Sequence, residues 1–252
     1  MEIQGNNSGE CIVTFQGDNS GECIVTFAKG GWFHHGQERL SRSLAKQDFT
    51  GGRIFFNDEG QIGAPLHRDC PYAFKGYAMQ KAIEMGYTKV LWLDASMWAI
   101  RSLRPVFDHI RDTGYLLVAG AGNVGQWTSD ACLKVFGIGR DEALKLHEVM
   151  GGCWGIDMTN PTGSGYFSRW MAHAKDGLSF PGDWTNSFHQ VSSDPRVQGH
   201  RHDQSVSSLL AWQLGLVRSV GFCRDYPYPM KDRYDYDASL IDPSICIVYR
   251  GG

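Results

Sequence analysis

The sequence predicts an α/β fold, a mostly parallel central sheet flanked by helices in one domain. Three observations carry this. Apolar runs of strand length alternate with helix-period segments through the first 120 residues. One run, VLWLD at 90–94, stays apolar until it stops on an aspartate, as a strand in mid-sheet does. The 252 residues are 42% hydrophobic and 12% aromatic, enough for a sizeable core.

The N-terminus carries a duplication, with NSGECIVTF at 7–15 and again at 19–27. Two copies of this length fall short of a solenoid, which leaves a hairpin of similar strands or a local duplication. The second copy is the expected structural strand, because 23–27 runs straight into KGGWFHHG and the helix-like QERLSRSLAKQ. The first copy falls in a segment 1–22, an edge strand or poorly ordered, and the main domain is expected over 23–252.

A short strand follows at 53–57, then a loop with Pro65 and Pro71. A helix is expected over about 73–85, where Ala78, Met79, Ala82 and Ile83 make an apolar stripe. Strand 89–93 comes next, then a helix in RPVFDHIRDT ending at Gly114, and a strand at 115–119. The second half is less regular. Helices are expected at 129–136, 141–149 and about 164–175, with the glycine-rich apolar GGCWGIDM between the last two. A polar loop over 178–199 carries Pro181, Trp184 and Pro195. Helix 204–214 is entered through Asp203, and an aromatic, Pro-rich tail, DYPYPMKDRYDYD, follows.

The net charge is −3 with scattered lysines and arginines, so nothing supports a nonspecific grip on nucleic acid, although a nucleic-acid acceptor stays open. Seven cysteines, odd in number and without CxxC or zinc spacing, fit reduced thiols. The polar N-terminus lacks a signal-peptide core, and no apolar run nears the roughly 18–20 residues of a membrane span. A soluble, cytoplasmic protein is expected. The sequence has no G-x-S-x-G elbow, P-loop or HExxH.

VLWLDAS, preceded by FKGYAMQKAIEMGYTK, resembles the donor-site region of GT-A glycosyltransferases, in which a strand ends on an Asp-x-Asp-type motif. GGCWGIDMTNPTGSGYFSRWM (151–171) resembles the small-residue turn, strand and helix lining the acceptor side of that fold. HRHDQSVSSLLAW (200–212) resembles its late Asp-Gln segment, and CIVTFAKGG (23–31) its first strand and nucleotide loop. The four segments spread across most of 23–215. The resemblance implies a single GT-A-like domain moving a sugar from a nucleotide-diphosphate donor to a glycan or other hydroxyl acceptor.

The implied donor residues are Phe27, Ala28, Lys29, Lys75, Asp94, Ala95 and Ser96. Gly152, Cys153, Trp154, Asp157 and Gln204 would meet the acceptor. Asp94 and Asp203 would be catalytic, Asp203 as general base if the reaction inverts. Departure of a diphosphate concentrates negative charge, and a divalent cation, Mn²⁺ or Mg²⁺, bound by carboxylate oxygen offsets it. Asp94 would be its ligand, with Ser96 and His202 as further ones. The triplet Asp94-Ala95-Ser96 departs from the family pattern, offering a hydroxyl where a second carboxylate is usual.

Plainer readings stand beside these. Asp94 is also a turn former at a strand end, and Asp203 also suits the N-cap of 204–214. Trp154 fits a core position and Asp157 a strand end. His34, His35, His200 and His202 fit a polar surface, and Lys29 and Lys75 fit solvated lysines. The aromatics near Trp184 and over 226–236 either close over substrate or pack on the sheet. GAGNVG at 120–125 matches a dinucleotide fingerprint, but no helix start or distant acid follows in place, so it reads as a flexible loop near the acceptor. The rival functions are a non-catalytic nucleotide-sugar or glycan-binding module and a dinucleotide-dependent oxidoreductase.

Overall fold

The computed structural model describes residues 12–14, 21–226 and 237–249. In chain order its elements are β1 (Ile12–Thr14), β2 (Glu22–Phe27), α1 (Phe33–Lys46), β3 (Gly52–Phe56), α2 (Glu59–Ile62), α3 (Phe74–Glu84), β4 (Lys89–Leu93) and β5 (Met97–Ala99). Then come α4 (Arg104–Thr113), β6 (Tyr115–Asn123), α5 (Asp130–Phe136), α6 (Arg140–Ala143), β7 (His147–Asp157), α7 (Pro161–His173), α8 (His202–Gln213), β8 (Phe222–Asp225) and β9 (Ile245–Tyr249).

The central sheet has the order β1-β3-β2-β4-β7-β6. Strands β3, β2, β4 and β6 point one way, while β1 and β7 run against them. Side chains alternate along β2 and β4. Cys23, Val25, Val90 and Trp92 join one core with α3, α7 and α8, whereas Ile24, Leu91 and Leu93 join the other with α1 and α4. Both faces are therefore covered, which is why these strands read as unbroken apolar runs. The first NSGECIVTF copy contributes the short edge strand β1; the rest of that copy lies outside the described residues. A second sheet, β5-β9-β8, stands beside the first.

Local chemistry sets the ends. Pro105 opens α4 and Gly114, at φ +90°, closes it in the left-handed region. Asn160 Oδ1 accepts from Thr162 N at 2.9 Å, so α7 starts three residues earlier than its periodicity predicts. The expected helix at 141–149 is replaced. Only Arg140–Ala143 is helical, and from His147 the chain is β7. Pairing with both β4 and β6 overrides the local helical pattern there. Among the described residues, no helix is long and apolar enough to cross a membrane, and the six described cysteines are free.

Candidate active site

Strand β4 ends at Leu93, and the next residue, Asp94, is held from three sides. Its backbone N–H donates to Gly152 O at 2.9 Å. Its Oδ1 accepts from Trp92 Nε1 at 2.7 Å and lies 3.1 Å from Lys75 Nζ. Lys75 reaches up from the first turn of α3 and is 3% exposed. Its ammonium also donates to Gly151 O at 2.9 Å and sits 2.9 Å from Asp203 Oδ2. The ammonium thus makes one hydrogen bond and two ion-pair contacts. Burial works against the charge of Lys75, but Asp203 and Asp94 outweigh it and hold its pKa above the ordinary lysine value. Burial pushes the Asp203 carboxyl up to about 6 against the pull of Lys75.

Glycines make room for this cluster. A Cβ on Gly151 would stand 3.0 Å from Asp203 Oδ2, and one on Gly152 would stand 2.9 Å from Asp94 Oδ2. On the other side α1 crosses the turn so closely that a Cβ on Gly36 would come 2.2 Å from Ala95 O.

Two cavities meet at Asp94. The first, about 420 Å³, is lined by Phe27, Ala28, Lys29, Phe33, Glu59, His67, Tyr72, Phe74, Lys75, Asp94, Ala95 and Ser96. All seven expected donor residues are in that wall. The second, about 500 Å³, has Asp94, Ser96, Gly152, Gln126, Trp127, Arg201, Gln204 and Tyr249 in its wall. Gln204 is fixed there, its Oε1 accepting from Gly151 N at 3.3 Å.

Several expected roles need correction. Lys29 is bound by Asp58 at 2.9 Å and by Glu59, so its charge is already matched. Trp154 is buried against Tyr166, Phe167 and Trp170, and Cys153 faces the opposite core. Asp157 pairs with Lys89 at the far end of β4 and accepts from Thr159. One strand cannot bring 152 to 157 to one site, because it rises about 3.3 Å per residue. Asp203 is not a helix cap, since Arg201 holds that position, and it faces Lys75 instead of either cavity. His200 and His202 are buried, engaged through the carbonyls of Ser179 and Phe180. His34 and His35 are exposed at the start of α1, outside both cavities. Trp184 stacks on His202. Of the aromatic tail, 227–236 lies outside the described residues.

The glycines at 120–125 do not form a phosphate turn. They continue β6 and enter a short 3-10 turn, Val124–Gln126. Gly122 has another use, because a Cβ there would come 1.8 Å from Glu148 Oε2. Glu148, fully buried on β7, receives Arg201 Nη1 at 2.5 Å. Burial pushes its carboxyl up to about 7, with Arg201 restraining the rise. The Arg201 guanidinium lies over Trp127 at 4.0 Å. Sequence reasoning missed this pair because Glu148 falls inside the expected helix 141–149, and it likewise missed Glu59, His67 and Tyr72 in the first cavity.

The sequence resemblance raises the question of a divalent cation. Among the described residues there is no group of three or more His, Cys, Asp or Glu side chains arranged to hold one. His202 is 2.8 Å from Phe180 O through Nδ1. Asp94 remains, 35% exposed, with Oδ1 occupied and Oδ2 in the space left by Gly152. This donor set fits a hard cation that takes most of its ligands from substrate phosphates, and does not make a closed protein cage.

No protein-family profile and no curated protein matches the sequence. Solved structures do match. The apo structure of WbbM, a bifunctional glycosyltransferase, aligns with 95% of this chain and 48% of its own at 11% identity and a TM-score of 0.56. The chain thus spans about half the length of WbbM. Mouse xyloside xylosyltransferase 1, in its apo form, aligns over 90% of this chain and 97% of its own (9% identity, TM-score 0.47). The galactosyltransferase LgtC, in complex with donor and acceptor sugar analogs, aligns over 91% and 87% (13% identity, TM-score 0.42). The likeness to WbbM shows the fold of this chain to be of the GT-A glycosyltransferase type.

Proposed function

We propose that the protein transfers a sugar from a nucleotide-diphosphate donor to a hydroxyl of a glycan or other acceptor. The observation that carries this reading is that Asp94 and Ser96 line both cavities. A group bound in one can therefore be handed to a group bound in the other across a single turn. The first cavity takes the donor nucleotide, with Phe27, stacked on Phe74 at 4.5 Å, and Tyr72 as apolar wall. The second takes the acceptor, with Gln204 and Trp127 beside the reacting hydroxyl.

Lys75 positions this machinery. With its ammonium held by Asp94, Asp203 and Gly151, it fixes the end of β4 to β7 and α8. Asp203 anchors Lys75. Asp94 presents Oδ2 to the junction, where it holds a cation or orients the acceptor hydroxyl. A divalent cation held by Asp94, with Ser96 as a neutral neighbour, would offset the charge of the departing diphosphate. Lys29 and Lys75 are both matched by carboxylates, so the donor meets no unmatched lysine in the first cavity. This supports a cation as the counter-charge.

A thermal-shift series with UDP, GDP, CDP and dTDP, each with and without Mn²⁺ and with NAD(H) as comparator, tests the reading. A native-state ligand raises the melting temperature by mass action. One nucleoside diphosphate is expected to stabilise the protein, more so with Mn²⁺. Stabilisation by NAD(H) alone would overturn the proposal in favour of the oxidoreductase, and no shift with any nucleotide would leave a binding module without a donor.

A further inference from the structure

The acceptor cavity does not end near Asp94. It runs into another space of about 470 Å³, and the two share Gly120, Ala121, Met150 and Tyr249 in their walls. The strands explain the continuity. β6 shifts register against β7 twice beyond Leu117, and on its other edge Ala119 N donates to Ser219 O at 2.8 Å. β6 thus stays beside β7 as far as Asn123 but irregularly, with Ser219 bridged to its other edge, and a trough lies between its end and residues of β8 and β9. The outer part of the trough carries Arg224, Asp225, Asp242 and Ser244, with Val220 90% exposed at its edge. Asp242 is oriented by Ser244, whose N–H and hydroxyl donate to Oδ1 at 2.8 and 2.7 Å.

We propose that the acceptor is an oligosaccharide of uncharged sugars lying along the whole trough, its reacting unit at Asp94 and its next units over Ala121 toward Arg224 and Asp242. This rests on the glycosyl-transfer reading above. Either space alone already has the size of an ordinary small-ligand site, about 300–1,000 Å³, so a single sugar fills only part of the trough. Both signs of charge occur in the outer part, which disfavours a polyanion. Hydroxyl edges suit the polar groups, and C–H faces suit Val220 and Tyr249.

Ala121 is exposed where the two spaces meet, so Ala121→Trp blocks the passage without touching the donor cavity. The probes are neutral mono- and tetrasaccharides of glucose, galactose, mannose and N-acetylglucosamine, measured by calorimetry with the stabilising nucleoside diphosphate present. In at least one series the tetrasaccharide is expected to bind about tenfold tighter than its monosaccharide, a factor of ten in Kd. Ala121→Trp should erase that advantage, and Arg224→Ala should reduce it. The nucleoside-diphosphate thermal shift should stay the same in both variants. Equal affinity for mono- and tetrasaccharide, an advantage that survives Ala121→Trp, or no saccharide binding while the nucleotide shift persists would each overturn the proposal. Loss of the nucleotide shift in the unmodified protein would instead count against glycosyl transfer itself.

Discussion

Lys75 is surrounded by two carboxylates and a carbonyl and is nearly sealed from water. Lys75→Met therefore leaves Asp203 buried without its counter-charge, at a cost of about 3–5 kcal/mol, read as a lower urea midpoint. Asp94→Asn keeps the shape of the turn, and donor turnover should fall about a hundredfold or more while the circular dichroism spectrum is unchanged. The buried acids also set a pH dependence. Asp203 is pushed up to about 6 and Glu148 to about 7, above the unfolded carboxylate range of about 4. The folded chain keeps protons that the unfolded chain releases in between, so stability falls as pH rises from about 4 to 7 and then levels off. Glu148→Gln should flatten that slope over its upper part, seen in urea midpoints taken across the window; an unchanged slope would mean that Glu148 titrates normally. Asp94 was legible in the sequence because an apolar strand announced its end. Glu148 was not, because its partner Arg201 lies 53 positions away and no local pattern marks such a pair.

Elements approach one another here through glycines. A Cβ on Gly36 of α1 would meet Ala95 O at 2.2 Å, and one on Gly76 of α3 would meet Trp170 Cζ3 at 2.1 Å. Alanine is the better helix former by about 1 kcal/mol, yet Gly36→Ala should destabilise by about 1–3 kcal/mol, because α1 must move off the turn at Ala95. The same variant should shrink the nucleoside-diphosphate thermal shift. Gly165 in α7 has nothing within 4 Å of an added Cβ, so Gly165→Ala should stabilise by up to about 1 kcal/mol. If both substitutions act alike, the contact at Ala95 is not what Gly36 serves. Most elements up to β6 were readable, because α3 and α4 carry a helical period and β2, β3, β4 and the start of β6 are apolar runs; the short α2 and β5 were not. β7 was half misread, since HEVM continues a helical pattern and only seating between β4 and β6 makes it a strand. Strands β5 and β8 are three and four residues long, too short for any period to show, and β9, Ile245–Tyr249, was not read although it is as long as β4.

Across the whole molecule, the segment 238–245 that leads into β9 is pinned to the chain after β5 by Arg101, whose guanidinium donates to the carbonyls of Asp242, Ile245, Ala238 and Ile241 at 2.5–3.1 Å. Arg101→Ala should cost about 1.5–3 kcal/mol and loosen the trough while leaving the nucleotide shift in place, a contrast that calorimetry and melting curves resolve together. The fold type was legible as an alternation of strands and helices, whereas the joining of three cavities along the ends of two sheets was not, since it depends on how the irregular end of β6 lies against β8 and β9. The position of β7 also bears on how the chain is made. β4 gains its second neighbour only when residue 157 has left the ribosome, and β6 has no other neighbour in the central sheet. Until then the nascent chain offers a bare edge at Val90–Leu93, the kind of edge that recruits strands from other molecules. A chain stopped at 146 should therefore aggregate on expression, whereas one stopped at 226 should stay in solution long enough to bind a chaperone or fold.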